Sequence, residues 1–192
     1  EGTRTSKGRA IQNLINIGSD DKVKAFICTQ DLKDEDYINS HYVIMATKKG
    51  QVKKTPLEQY SRPRTNGINA ITIKEGDELL EAKLTTGDSQ VMLAVKSGKA
   101  IRFEEEKTRS MGRNASGVRG IRLNSEKDEV IGMITINESE TDVLVVSENG
   151  YGKRSSLEDY RITNRGGKGV KTISVTEKTG NLVAIKNVTD SD

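Results

Sequence analysis

Apolar positions in this chain fall in runs of four to eight residues, separated by polar stretches rich in Gly, Asn, Asp and Ser. Runs of that length with β-branched side chains, closed by turn residues, predict short strands. Three of them, at 43–46, 91–95 and 143–146, each end in a polar turn carrying a glycine: Gly50, Gly98 and Gly150. The interval is roughly 50 residues, which marks an internal repeat. A second glycine follows about twenty residues later in each repeat, at Gly67, Gly117 and Gly169, ahead of further β-type runs at 70–73, 120–123 and 170–175. Gly8, before residues 10–14, reads as a fourth copy of this landmark. Closing runs at 23–28, 79–84, 130–136 and 182–188 complete the units.

The repeat divides the chain into a tail of one unit at residues 1–36, followed by whole units at about 37–88, 89–140 and 141–192. Four strands per unit predict an all-β, propeller-like array of four-stranded blades, whose faces are buried against their neighbours. A partial unit and three whole ones form an open arc of about four blades. Thr55, Pro56 and Glu58 match a capping box with Pro at the first helical position, and Ser155 and Glu158 repeat it. Residues 103–106 occupy the same phase, so a single helical turn is expected after the second strand of each unit. The acidic stretch 31–36 reads as a solvated loop insertion. Tyr60 and Tyr160 are expected to pack the helical turn.

Composition narrows the class further. Hydrophobic residues make up 33% and charged residues 31%, enough for thin, repeated cores but not for one large core. No apolar run reaches the length of a membrane span and no secretory signal is evident, so a soluble, unexported protein is expected. The chain begins at Glu1 without Met, so upstream sequence is expected. Cys28, the only cysteine, fits a reducing compartment and is expected to pack within its strand. The single histidine, His41, leaves neither a His-based triad nor a His-rich zinc site, and a surface loop is its expected place. No phosphate-cradling ATP motif occurs. The acidic clusters 34–36 and 104–106 lack a convergent cage and are read as solvated loops. No catalytic, metal or cofactor site follows.

Net charge is only +3, so position rather than amount has to point to a partner. Arg4, Arg113 and Arg165 each stand four residues before the second glycine, and Arg64 stands three before it; Lys7 and Lys168 immediately precede it. Lys54, Arg102 and Arg154 each lie four residues past the first glycine, on equivalent second strands with a common expected face. Equivalent loops in stacked blades line one edge, so these charges predict a basic stripe suited to a DNA duplex. Lys and Arg at phosphates release counterions, and glycines let backbone N–H groups approach. Base readout is not predicted, because no recognition helix or stacking aromatics accompany the charges. A propeller that binds protein partners is the competing class.

These motifs resemble the C-terminal β-pinwheel domain of gyrase A. The likeness spans essentially the whole chain and is strongest at residues 111–123 (MGRNASGVRGIRL), 149–154 (NGYGKR), 50–54 and 64–73. The resemblance implies a β-pinwheel with duplex DNA wrapped around a basic rim, and it implies the rest of gyrase A and gyrase B as partners. It also implies that ATP and Mg²⁺ are handled elsewhere in the enzyme. The family carries a seven-residue box, Q-R-R-G-G-K-G, near the start of its domain. Arg165, Gly166, Gly167, Lys168 and Gly169 match the last five positions in the last unit here, with Thr163 and Asn164 in the first two. This copy is read as a repeat-equivalent loop, with the true box and the rest of the ring expected outside these residues. Cleavage in the family uses a tyrosine directly after an arginine, and no arginine here is followed by Tyr. The related C-terminal domain of topoisomerase IV is the alternative within the family.

Overall fold

The computed structural model describes residues 4–10, 13, 15, 17, 18, 20–137 and 139–189. Most of the predicted run at 10–14 lies outside that set. The order of elements is α1 (Glu35–Ser40), β1 (Tyr42–Thr47), β2 (Gln51–Pro56), β3 (Leu79–Thr85), β4 (Gln90–Val95), β5 (Lys99–Glu104), β6 (Val118–Arg119), β7 (Val130–Ile136), β8 (Asp142–Ser147), β9 (Gly152–Ser156), β10 (Val170–Lys171) and β11 (Leu182–Val188). Single 3-10 turns follow the second strands at Leu57–Tyr60, Glu105–Lys107 and Leu157–Asp159. The capping differs from expectation. Pro56 ends β2 and precedes its turn without a side-chain cap, and Ser156, not Ser155, caps the last turn by accepting from the Glu158 N–H.

Three antiparallel sheets result, with strand orders β3-β1-β2-β6, β10-β5-β4-β7 and β11-β8-β9. Each hairpin turns through a glycine at positive φ, Gly50, Gly98 or Gly150, as a three-residue loop with a left-handed third position requires. The four strands of a blade do not all come from one repeat. β6 lies in the second unit but pairs with β2 of the first, Val118 opposite Val52. β10, in the third unit, likewise pairs with β5 of the second, Val170 opposite Ala100. The second and third units each lend the unit before them an outer strand.

That exchange explains which predicted strands form. Residues 70–73 and 23–28 are not strands, and among the described residues no hairpin precedes that of β1 and β2. Residues 23–28 still alternate, with Ala25 and Ile27 packed against the first blade. Cys28 points outward and is exposed, contrary to the packing expected of it. Part of the acidic stretch folds into α1, capped by the Asp34 carboxylate, and buries Ile38. His41 is half-buried against Tyr37, with ring centroids 4.2 Å apart.

Alternating side chains divide the blade faces. Ile44 and Ala46 join Val91, Leu93, Val95 and Phe103 in one core between the first and second blades. Met92 and Ala94 join Val143, Val145, Leu157 and Leu182 in a second core between the second and third. The middle strands are therefore apolar on both faces, which is why their runs show no polar alternation.

In the third sheet, β9 has no strand on its outer side among the described residues. Its outward amides should exchange with solvent faster than those of β2 and β5 by one or more orders of magnitude, since unpaired edges open without global unfolding (roughly tenfold or more). Equal protection of Gly152 and Val52, which share a register position, in a hydrogen-exchange experiment would contradict the sheet order.

Candidate nucleic-acid interface

The lent strands bring successive loops together along one edge. After the 3-10 turn of the second unit the chain crosses to the first blade, where Met111 N donates to Lys54 O and Gly120 N to Gly50 O. The third unit repeats the path: Thr163 N donates to Arg102 O and Thr172 N to Gly98 O. Gly117 and Gly169 make this possible. Both have positive φ, and a side chain at either would collide with a carbonyl of the strand it joins, Val52 O or Ala100 O. The loops also touch one another, because Gly166 N donates to Gly120 O at 2.6 Å and Arg122 N to Gly167 O at 2.8 Å.

Arg113 and Arg165 occupy equivalent places on these loops. Arg113 Nη1 donates to Asn69 O at 2.9 Å, and Arg165 Nη1 donates to Arg119 O at 3.0 Å. Each acceptor lies two residues past the second glycine of the preceding unit, so the arginine spans from one loop to the one before it. Arg64, Lys168, Gly167, Arg4 and Lys7 are exposed, and Gly166 and Gly169 are half-buried. Arg64 and Arg113 line one cavity of about 290 Å³ with Gly67, Asn69 and Asn114. Arg119 and Lys171 fall outside the pattern of bases ahead of the glycine. They are exposed on the lent strands, two residues past Gly117 and Gly169, and that shared offset is their signal in the sequence.

Lys54, Arg102 and Arg154 do share a register, opposite Ile44, Met92 and Leu144, and so a face. For the first two that face is the seam between blades, which corrects their assignment to the basic rim. Lys54 is buried, its ammonium 3.8 Å from Glu105 and 5.0 Å from the Tyr42 ring centre. Arg102 is half-buried and donates to Leu157 O at 2.5 Å and Tyr160 O at 3.2 Å. Arg154, on a strand with no outer neighbour among the described residues, is exposed and pairs with Asp142 at 2.5 Å. Glu105 is likewise not the solvated carboxylate expected. It is fully buried, accepts from Thr85 Oγ1 at 2.6 Å, and burial raises its carboxyl above the ordinary range against the pull of Thr85 and Lys54.

Tyr60 and Tyr160 pack as expected and also hold the lent segments: Tyr60 Oη donates to Ala70 O at 3.0 Å, and Tyr160 Oη is hydrogen-bonded to Thr172 Oγ1. Among the described residues no group of His, Cys, Asp and Glu is arranged to hold a metal, and no helix is long and apolar enough to cross a membrane.

The family model for the DNA gyrase C-terminal domain, beta-propeller, matches residues 41–86, 90–137 and 141–189. DNA gyrase A of Staphylococcus epidermidis is 44% identical over the whole chain, and that of Staphylococcus aureus 42%. The chain spans 21% of the length of these relatives. The crystal structure of the C-terminal domain of DNA topoisomerase IV superposes with a TM-score of 0.85 at 25% identity, covering 96% of this chain and 56% of that one. A DNA gyrase A C-terminal domain superposes at 0.81, also at 25% identity, covering 96% of this chain and 60% of that one. With its blades linked by lent strands and its sequence matched in all three units, this chain belongs to the DNA gyrase A C-terminal domain family.

Proposed function

We propose that the chain binds duplex DNA without sequence preference along the edge formed by its linked loops, and bends it as part of a gyrase. The observation that supports this reading is the serial hydrogen bonding of the loops, Gly50 to Gly120 to Gly166, and we assign Arg64, Arg113, Arg119, Arg165, Lys168 and Lys171, on the loops and lent strands, to one basic edge. By their register before Gly8 we assign Arg4 and Lys7 to the same edge, and Arg154 lies on the third blade. Side chains of this kind meet phosphates, and the absence of a recognition helix leaves base edges unread. The chain supplies no catalytic group. Strand cleavage, ATP and Mg²⁺ are left to the rest of gyrase A and to gyrase B, and the whole enzyme works on DNA in the bacterial cytoplasm, at the nucleoid.

Duplex titrations over a range of salt test this. Affinity is expected to fall steeply with salt and to be alike for unrelated sequences. Replacing one phosphate-contacting arginine by Ala should flatten the log–log salt slope by about one unit. Equal affinity for the wild type and a folded variant with Arg4, Lys7, Arg64, Arg113, Arg165 and Lys168 all changed to Ala would refute the edge. Binding without salt dependence would favour a propeller for protein partners.

A further inference from the structure

Beneath the seam between the first two loops lies a charged side chain that touches neither solvent nor an acid. Lys53, on β2, is fully buried. Its ammonium donates to Ala70 O at 2.5 Å and to Arg113 O. The two acceptors belong to successive units, so one side chain clamps the loop of the first unit to that of the second. Around the clamp Arg113 is fixed at three points. Its N–H donates to Gln59 Oε1 at 3.1 Å, its carbonyl accepts from Lys53, and its guanidinium reaches Asn69 O. Thr72 ties the same loops together, donating from Oγ1 to Asn114 O at 2.7 Å and from N to Ala115 O at 3.2 Å.

The next seam lacks this charge. Ile101 stands at the position equivalent to Lys53 and lies beneath Gly167. In the third unit Lys153 holds only the first of the two partners, Thr172 O at 3.4 Å. A charged donor binds a carbonyl about twice as strongly as a neutral one, so the clamp depends on the proton at Lys53. The groups facing it are Arg113 from the second unit and Tyr60 from the 3-10 turn, which shares Ala70 O. Burial first, and the Arg113 charge second, lower the Lys53 ammonium to about 8.

We propose that Lys53 is a positioning residue of the DNA-binding edge, which by clamping Ala70 O and Arg113 O sets where the Arg113 guanidinium stands beside Arg64. This rests on the reading of the loops as a phosphate-binding edge. Lys53 itself touches no DNA.

The test uses the whole chain carrying C28S, so that its one thiol adds nothing, and a duplex followed by fluorescence anisotropy. Lys53→Met is expected to weaken binding roughly three- to tenfold at about pH 7. Arg113→Ala should weaken it comparably, and the double variant no further than Arg113→Ala alone. Without the variant at 53, affinity should fall from about pH 7 to about pH 9.5, where phosphates and arginines keep their charge, and Lys53→Met should be flat over that range. Burial raises Tyr60, away from this window. Unchanged affinity in Lys53→Met, an additive double variant, or the same pH fall in Lys53→Met would each overturn the proposal. If Lys53→Met does not fold, the pH fall must shrink in Arg113→Ala, and an undiminished fall overturns it. No binding by the parent chain removes the DNA reading and this one together. Binding lost in the six-position Ala variant but unaltered in Lys53→Met removes this one alone.

Discussion

Gly117→Ala is expected to destabilise the chain by about 3 kcal/mol or more, about twice the effect of Gly67→Ala. Both glycines have a left-handed backbone, with φ of 89° and 75°, and an L side chain there costs on the order of 1–2 kcal/mol by itself. Their surroundings differ. Around Gly67 there is open space, whereas at Gly117 the new Cβ would overlap Val52 O on the strand that β6 joins. Relieving that overlap means pulling β6 off β2, which also parts Gly120 N from Gly50 O and exposes Ile121 and Val52 of the first core. Gly169→Ala should match Gly117→Ala, because it meets Ala100 O in the same way. Chemical denaturation of the three variants checks the ranking. Equal losses at Gly67 and Gly117 would mean that backbone conformation alone, and not the lent strand, requires glycine.

Those glycines are visible in the sequence as punctuation, but their function in the fold is not. Apolar runs and turn residues locate the hairpins β1–β2, β4–β5 and β8–β9 because both strands and their turn are local. The fourth strand of a blade comes from the next repeat, a pairing that no local pattern specifies, and so runs at 70–73 and 23–28 look like strands yet join no sheet among the described residues. The charged residues of the second strands were legible in register but not in surroundings. Lys54 and Arg102 read as solvent-facing by type, and only the neighbouring blade shows that they are enclosed. One clue was present: aligned by the hairpin glycine, Glu105 occupies the position of Leu57 and Leu157, and all three are buried. A carboxylate where its counterparts are leucine must have been given a partner.

Glu105→Leu should therefore be costly by itself and harmless in the right company. Lys54 would be left buried beside Tyr42 with its carboxylate gone, a loss of about 3–5 kcal/mol for a broken buried pair. The second seam shows another arrangement of the same site. There Leu157 fills the apolar position, and Arg102 donates from Nη1 to Leu157 O and Tyr160 O and from Nε to Gln90 Oε1, a set of donors in fixed directions that lysine does not offer. The equivalent carbonyls in the first seam are those of Glu105 and Thr108, in a turn of the same kind, with Thr108 N donating to Glu105 O at 2.8 Å. The double variant Lys54→Arg with Glu105→Leu copies the second seam and should recover most of the stability lost by Glu105→Leu, as read by urea denaturation. The pH dependence has a definite sign. Because burial raises the folded Glu105 carboxyl, its contribution is fully present below the ordinary carboxylate range and is lost as pH rises through the raised value. Glu105→Gln, which cannot ionise, should remove that slope while keeping an acceptor for Thr85. A stability profile with the same slope in the wild type and in Glu105→Gln would mean that the carboxyl ionises as freely in the seam as in the unfolded chain.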